Sequence, residues 1–348
     1  MLAIHPLEGS FFVKTAFTGL NHLDTHQKSR TYMSERALQA LRVAAIFFLL
    51  SLVVFAKFHE PPRFFHTLQK LAHPVTFGAL ALVILTLLRS HTPRPFGSYV
   101  VALLLAALCG AGTEVAQAFV DRDPSVLDVL RDTLGASTAL AGFATLVPGS
   151  DARGQGAWRA VGAVFALLGF AVMMTPISIS LAAYARRDLL FPTLFEACST
   201  LDRYFIAGNG ANIDVVPSTG PSSSACGRAL RVTLGAAPYA GITFEEPYPN
   251  WRSGNFLILD LSNPGEIDLP LATRVHDLAH NFQFDDRFNR EFTLRAHERI
   301  QIAIPISEIE HAPAGRLMDL SRIAGVAVFR ARGDMKESFE VERMLLRR

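Results

Sequence analysis

The chain has 348 residues, of which 50% are hydrophobic and 18% are charged. Its mean hydropathy of +0.27 is high for a protein that water surrounds on all sides. The formal net charge of +2 excludes the strongly basic surface of a nucleic-acid-binding protein, so we expect no nucleic-acid partner. The apolar excess is confined to the residues before about Arg186. The composition therefore predicts a membrane part followed by a water-soluble part.

The first half contains five apolar stretches of about the twenty residues that a helix needs to cross a bilayer. They lie at residues 41–58, 68–88, 98–119, 126–147 and 161–184. The fourth is the least apolar, because its first two turns contain Asp128, Arg131 and Asp132. Pro176 is expected to kink the fifth, which helices in a bilayer tolerate. A polar segment without a small-residue cleavage site precedes the first stretch, so we expect an uncleaved anchor and not a signal peptide.

Lysine and arginine residues near the ends of these stretches predict their orientation. The bias is small and favours an N-terminus inside the cell, with Lys28, Arg30 and Arg36 among the cytoplasmic basic residues. After five spans the soluble part would lie outside the cytoplasm. We therefore expect a multi-pass protein of the inner (cytoplasmic) membrane. Its parts would be a cytoplasmic segment at 1–40, a transmembrane helical domain at 41–187 and an extracytoplasmic domain at 188–348.

Ionisable and amide side chains concentrate where the second, third and fourth predicted spans reach the same side of the membrane. Glu114 and Gln117 share a helix face at the end of the third span, since residues three apart are neighbours. Asp128 and Asp132 share a face at the start of the fourth span, where acidic groups also suit the helix dipole. The second span begins at this side. We therefore expect one polar cluster at the outer membrane interface, formed by His73, Glu114, Gln117, Arg122, Asp128 and Asp132.

Two interpretations of this cluster stay open. In the structural one, Arg122 pairs with Glu114 or an aspartate, and the network locks the helices together. In the functional one, Glu114 or Asp128 serves as an acid or base, and Arg122 holds an anionic head group such as a lipid phosphate. The sequence contains no recognisable nucleophile with an adjacent base. Whether the protein is an enzyme is therefore left open, and we predict no cofactor.

The same residues resemble the pattern of VanZ-like membrane proteins over about the second to fourth spans. The matching segments are Lys70-Leu-Ala-His73, Glu114-Val-Ala-Gln117, Arg122, Asp128 and Asp132-Thr-Leu-Gly135. The chain departs from the pattern at Asp132, where the family usually has Asn, and at Pro74 directly after His73. The founding member of the family is associated with glycopeptide-antibiotic resistance. The resemblance implies a bacterial cell-envelope membrane protein and no particular reaction.

From about Phe195 onward, the hydrophobic period changes from that of helices to the alternation of strands. Segments bounded by Gly, Pro, Asn and Asp predict strands; they are "RALRVTLG", "YAGITFEE", "NFLILDLSN", "RIQIAIPI", "IAGVAVFRA" and "SFEVERMLL". Short strands at this spacing are typical of an antiparallel sandwich. The predicted fold is thus a two-domain α + β protein, a polytopic transmembrane helical bundle followed by an antiparallel β-sandwich.

The order of segments over about 195–347 resembles the galactose-binding-like jelly roll of carbohydrate-binding modules. The segments are a tryptophan before a strand that ends Asp-x-x-Asn, "FDDRFN", "IPI" and "GRLMDL". The resemblance implies a carbohydrate-binding site, and sugars need planar polar groups and an aromatic face. The candidate contacts are Asp277, Asp285, Arg287, Phe288 and Asn289. In the alternative interpretation, Asp286 pairs with Arg287 and Phe288 packs inside.

Other polar and aromatic residues of the second half are interpreted as structural. His276 and His280 would suit a metal on a helix, but their region predicts strand and loop, so we expect no metal site. Trp251 is expected in the core or at its rim. Cys198 and Cys226 fall in the external domain, where a disulfide is favoured over two free thiols by a small margin, and Cys109 lies within a span.

These expectations combine into a membrane-anchored cell-envelope protein. Its jelly roll would bind a glycan or polysaccharide, and its polar cluster would contact an envelope or lipid-linked substrate, so the expected partners are membrane lipid and envelope glycan. The alternatives are a membrane enzyme or lipid-carrier handler that acts on a glycolipid, and a structural scaffold. The oligomeric state stays open.

Overall fold

A computed structural model describes residues 37–51, 62–89, 95–120, 124–146, 155–218, 224–333 and 336–348. The chain divides into two compact units. The helical unit comprises Met1–Pro61 and Phe65–Thr175, and the β unit comprises Pro62–Phe64 and Pro176–Arg348. The predicted domain limits at 40/41 and 187/188 stay predictions.

Five long helices account for most of the first half. They are α1 (described over Ala37–Ser51), α2 (Arg63–Arg89), α3 (Pro95–Gln117), α4 (Val126–Leu146) and α5 (Gln155–Leu190), with a short 3-10 turn at Ala118–Val120. Within the described residues, α2, α3 and α5 are long and apolar enough to cross a membrane. Helix α4 contains three charged residues near its start, and the predicted first span continues into 52–58, outside the described residues. Three of the five predicted spans are thus supported.

Helices α2 and α4 approach each other through small residues. A Cβ atom added at Gly135 would stand 2.0 Å from the carbonyl oxygen of Pro74, and one added at Gly78 would stand 3.2 Å from that of Gly135. Such backbone-to-backbone contact is how helices pack where lipid removes the hydrophobic drive for association. Phe77 and Leu80 of α2 and Ala136 of α4 are fully buried beside this crossing. The crossing therefore fixes the middle of α4 against the middle of α2.

Eleven strands are described in the β unit, and they form two antiparallel sheets. They are β1 (Thr193–Glu196), β2 (Ile206–Asn209), β3 (Ala211–Pro217), β4 (Arg228–Leu234), β5 (Gly241–Glu245), β6 (Phe256–Ser262), β7 (Leu269–Asp277), β8 (Phe288–Leu294), β9 (Arg299–Pro305), β10 (Ile323–Arg330) and β11 (Ser338–Arg347). The six-stranded sheet has the order β3-β4-β11-β6-β9, with β1 also paired to β11. The five-stranded sheet has the order β2-β5-β10-β7-β8. One turn of helix, α6 (Ile306–Glu310), follows β9. All six strands predicted from alternation are present.

One hydrophobic core receives side chains from both sheets. Leu230, Leu259 and Phe339 come from the six-stranded sheet, and Ile242 and Val326 come from the five-stranded sheet; all are fully buried. Alternate residues of a strand face opposite sides, so a strand such as β6 contributes to this core with alternate side chains.

Trp251 and the cysteines settle two alternatives that the sequence left open. Trp251 is 0% exposed within the core, and its indole N–H donates to the carbonyl oxygen of Tyr248 at 2.7 Å. Cys198 and Cys226 form a disulfide with their Cα atoms 5.7 Å apart. Cys109 of α3 is free.

Candidate functional site

Four of the six residues predicted for the membrane cluster are buried in the helical unit, and three of them, His73, Glu114 and Asp132, meet there. His73 of α2, Glu114 and Gln117 of α3 and Asp132 of α4 are 8%, 4%, 3% and 1% exposed, respectively. Asp128 is partly exposed and forms an ion pair with Arg131 at 2.5 Å. Arg122 lies outside the described residues. We call His73, Glu114 and Asp132 the buried triad.

The buried triad is compact and poor in hydrogen bonds. His73 Nδ1 lies 3.6 Å from Asp132 Oδ1, and one ligand atom from each of the three residues lies within 4.8 Å of the others. Glu114 Oε2 accepts the backbone N–H of Ser125 at 2.7 Å. Among the described residues, no hydrogen-bond partner is present for His73 Nδ1, Glu114 Oε1 or either carboxylate oxygen of Asp132. Buried polar groups without partners are expensive, so this arrangement is unusual for a purely structural contact.

The candidate sugar contacts of the β unit separate into two groups. Phe288 is 5% exposed and belongs to the core, as in the alternative interpretation. Asp277 is 1% exposed and is held by Arg316, so its carboxylate faces no ligand. Asp285 is exposed and its backbone carbonyl accepts the N–H of Ala314 at 2.8 Å. Only Arg287 and Asn289 line the large cleft described below.

The expected ion pair between Asp286 and Arg287 is replaced by a buried network around Arg316. The Arg316 guanidinium binds Asp286 at 2.5 Å and Asp277 at 2.7 Å. The hydrogen bond from Arg316 lowers the pKa of Asp286 to about 2. Burial by itself would raise the pKa of Asp277, but hydrogen bonds from Arg316 and from the N–H of Asp319 hold it below its usual value. The network fixes the segment between β7 and β8 and has a structural role.

A cleft of about 580 Å³ lies on the five-stranded sheet. Its floor is formed by two rows of residues that lie opposite one another across β10, β7 and β8. One row is Ala327, Arg274 and Asn289, and the other is Phe329, Ala272 and Glu291. Directly opposite residues point to the same face of a sheet, so these two rows form one surface. The further lining residues are Asn209, Pro238, Tyr239, Phe284, Arg287 and Ala331. Alanines between the large side chains leave the surface concave.

Aromatic rings border this cleft and two of them are exposed. Tyr239 is 66% exposed and Phe284 is 71% exposed. The Tyr239 ring stands edge-on to Phe329, with centroids 6.1 Å apart. The backbone of Tyr239 has a φ of 56°, a left-handed conformation that costs energy for a residue other than glycine and is concentrated at functional sites. The cleft therefore offers flat apolar faces at its rim.

Two arginines supply the polar part of the cleft. The guanidinium of Arg274 lies 5.8 Å from the centroid of Phe329, and that of Arg287 lies 5.5 Å from the centroid of Phe284. Their Nε atoms are buried and have no hydrogen-bond partner among the described residues. Burial, and then the nearby charge of Arg287, lower the pKa of Arg274.

The two histidines beside the cleft do not form a metal site with a third residue. The ring of His276 lies 5.2 Å from that of His280. Burial, followed by the charge of Arg274, lowers the pKa of His276 to about 4, so this side chain is neutral at pH 7. In the described part of the chain, the only group of three His, Cys, Asp or Glu side chains close enough to hold an ion is the buried triad.

Most of the cleft residues were not predicted from the sequence. The missed residues with polar or aromatic side chains are Asn209, Tyr239, Arg274, Phe284, Glu291 and Phe329. An available signal was the outward position of Arg274 and Phe329 between buried neighbours in β7 and β10. That signal identifies an outward face but not which strands lie side by side.

No protein-family model matches the chain, and no curated protein matches it. Solved structures match in the C-terminal β region. A family 11 carbohydrate-binding module from Clostridium thermocellum, in complex with a β-1,3-1,4-mixed-linked tetrasaccharide, is 17% identical; the match covers 44% of this chain and 94% of the module, with a TM-score of 0.33. An exo-β-agarase is 13% identical, and the match covers 41% of this chain and 23% of the agarase, with a TM-score of 0.34.

Proposed function

We propose that this protein is a membrane-anchored glycan-binding protein of the bacterial cell envelope. Its β unit would be a jelly-roll sandwich that binds sugar in the cleft on the five-stranded sheet. The observation that carries this proposal is the composition of the cleft, which places exposed rings beside arginine and amide side chains. A cavity of about 580 Å³ is within the range of sites that hold small ligands.

The residues of the cleft match the chemistry of a sugar ring. The C–H face of a pyranose packs on an aromatic ring, for which Tyr239 and Phe284 are available. Its hydroxyl groups need planar donors and acceptors, and Arg287 and Asn289 provide these on the same surface. Phe288, the aromatic contact expected from the sequence, is in the core. Tyr239 and Phe284 therefore take its place in the proposal.

The membrane part of the proposal rests on the three apolar helices and on the disulfide. Helices α2, α3 and α5 can cross a bilayer by length and composition. A disulfide between Cys198 and Cys226 suits an oxidising compartment, which supports a β unit outside the cytoplasm.

The VanZ-like polar cluster completes the proposal. Its buried members lie at the end of α3 and near the start of α4, where the predicted topology puts the outer interface. There they would contact a lipid-linked envelope substrate that the cleft recruits by its glycan. The alternative functions are a lipid-carrier enzyme at this cluster and a scaffold in which the cluster only locks helices.

A glycan array probed with the full-length protein in detergent tests the proposal. Tyr239→Ala and Phe284→Ala should each weaken binding about tenfold, the equivalent of roughly 1.4 kcal/mol for a lost stacking contact. Phe282→Ala is the matched control, because Phe282 is a 75% exposed ring of the same segment that does not line the cleft. Binding of no glycan, or equal affinity of the three variants, would overturn the proposal.

A further inference from the structure

The buried triad lies beside close contacts between its helices. His73 directly precedes Pro74, whose carbonyl oxygen packs against Gly135. Gly110, one turn before Glu114 on α3, faces Asp132: a Cβ atom added there would stand 3.5 Å from Asp132 Oδ2. Glycine at this position leaves room for the Asp132 carboxylate between the helices. The three side chains therefore meet through backbone packing and not through mutual hydrogen bonds.

The carboxylates of the triad accept few hydrogen bonds from the described residues. Glu114 and Asp132 are 4% and 1% exposed, and three of their four carboxylate oxygens have no hydrogen-bond partner there. A buried acceptor without a partner costs about 1–3 kcal/mol, and a charged one costs more. Two carboxylates carry the charge that one divalent cation neutralises.

The separations suit coordination by such a cation. Ligands about 2.1 Å from a tetrahedral metal stand about 3.4 Å apart, and His73 Nδ1 and Asp132 Oδ1 are 3.6 Å apart. All three ligand atoms lie within 4.8 Å of one another, so a small side-chain rotation closes the set. The N–H of Ser125 binds Glu114 Oε2 and leaves Oε1 for a metal, as outer hydrogen bonds commonly orient a ligating carboxylate.

We propose that His73, Glu114 and Asp132 bind a divalent transition-metal ion, most favourably Zn²⁺. One imidazole nitrogen and two carboxylate oxygens are donors that Zn²⁺ accepts, whereas Mg²⁺ and Ca²⁺ prefer oxygen alone. Three protein ligands leave at least one coordination position open, which is the arrangement of reactive zinc sites. That position takes water or an oxygen of an anionic head group. This proposal is independent of glycan binding by the β unit.

Metal content of the full-length, tag-free protein in detergent tests this proposal. After equilibration with Zn²⁺ and removal of unbound metal, elemental mass spectrometry should find about one zinc per chain. Asp132→Asn and Glu114→Gln keep the side-chain shapes and should lower the affinity for Zn²⁺ more than tenfold. Asp128→Asn is the matched control, because Asp128 lies one turn from Asp132 and pairs with Arg131 outside the triad.

A second measurement guards against misfolded variants. Co²⁺ in place of Zn²⁺ should give a visible absorption band whose intensity reports four-coordinate geometry. Asp132→Asn should abolish this band, whereas its thermal unfolding curve without metal should match that of the wild type. Zinc content below one tenth per chain in the wild type, or equal zinc affinity in Asp132→Asn and Asp128→Asn, would overturn the metal site and favour a structural lock.

The cleft of the β unit carries a second, independent inference about its ligand. Neither Arg274 nor Arg287 forms an ion pair or hydrogen bond with a described residue. The acidic residue among those that line the cleft, Glu291, is paired with Arg332 at 2.6 Å. Arginine forks bind carboxylates through paired N–H groups. We infer that the cleft selects an acidic sugar, whose carboxylate lies between these two guanidiniums. This inference rests on the proposed glycan binding.

Tri-galacturonic acid and its methyl ester share one carbohydrate skeleton and differ in charge. Comparing them separates the preference for an acidic sugar from glycan binding as such. The full-length protein should bind the acid at least tenfold more tightly, and Arg274→Gln should remove that preference, whereas Arg295→Gln, outside the cleft lining, should keep it. Equal binding of acid and ester overturns the acidic preference alone. Failure to bind either of them or any glycan of the array overturns the proposed function.

Discussion

Substitution of Arg316 by methionine separates a structural role of Asp277 from a sugar-binding role. The change removes the guanidinium that holds Asp277 at 2.7 and 2.9 Å and keeps a side chain of similar length. Asp277, 1% exposed, would retain only the N–H of Asp319 at 2.7 Å. The folded β unit would then contain two buried carboxylates, Asp277 and Asp286, without their shared ion-pair partner.

The expected loss in free energy of unfolding is about 3 kcal/mol. Removing one partner of a buried ion pair costs about 3–5 kcal/mol, and the low end applies because the Arg316 side chain is 28% exposed. For a unit of this size, each kcal/mol lowers the melting temperature by about 2–4 °C, so a decrease of about 6–12 °C is expected.

Tryptophan fluorescence of the full-length protein measures this change. The chain has two tryptophans, and Trp158→Phe leaves Trp251, fully buried in the β unit, as the only reporter. Arg332→Met is the control; it breaks an ion pair whose arginine is 76% exposed, and its effect should stay within about 0.5 kcal/mol. Adding Asp277→Asn to Arg316→Met should recover part of the loss, since it removes one of the two carboxylate charges that Arg316 had paired. A melting decrease below 2 °C for Arg316→Met would refute the structural role.

Three further outcomes are expected. Reduction of the disulfide between Cys198 and Cys226, which are 28 residues apart, should lower the free energy of unfolding by about 3.5 kcal/mol. Thiol labelling of the denatured protein should count one cysteine before reduction and three after it. Three labelled cysteines before reduction would contradict the bridge. His276 has a pKa of about 4 in the folded state and an ordinary value near 6.5 when unfolded. The free energy of unfolding of the β unit should therefore fall by about 1–2 kcal/mol between pH 7 and pH 5, because the unfolded state binds the proton more tightly. His276→Phe should remove that loss in denaturant titrations at the two pH values. Alkaline phosphatase fused after Arg348 should be active in cells, whereas fluorescence of a cytoplasmic reporter at that point would reverse the predicted topology.

Local pattern was sufficient for most of the β unit and for the meeting of the triad. The strands from Arg228–Leu234 to Ser338–Arg347 that alternate apolar and polar residues were predicted with their turns. Strands β1 and β2 have four residues each, too few for a period of two to stand out. His73, Glu114 and Asp132 were expected together because their spans reach the same side of the membrane at these residues. The order of the spans and the spacing of residues along a helix were sufficient for that expectation.

Local pattern failed where the site depends on partners distant in sequence. Phe329 reaches the cleft beside Ala272 only because β10 pairs with β7, and Tyr239 arrives from the turn before β5. Asp277 and Arg316 are 39 residues apart, so the buried partner that removes Asp277 from the surface could not be inferred from neighbouring residues. Asp277, the last residue of β7, was interpreted as a ligand contact although its charge is paired with Arg316.

Small residues determine where both candidate sites form, although polar residues first indicate them. Gly135 lets α2 and α4 touch backbone to backbone, and Gly110 leaves space for the carboxylate of Asp132. Ala272 and Ala327 do the same in the β unit. Ala272 lies between Phe329 and Glu291 in one cross-strand row, Ala327 lies beside Arg274 in the other, and both keep the sheet surface hollow. A larger side chain at any of these four positions would fill the space that a ligand or ion needs. The polar residues that suggest a site would all still be present in such a sequence. Site prediction from one sequence therefore has to ask which residues make room, as well as which residues carry charge.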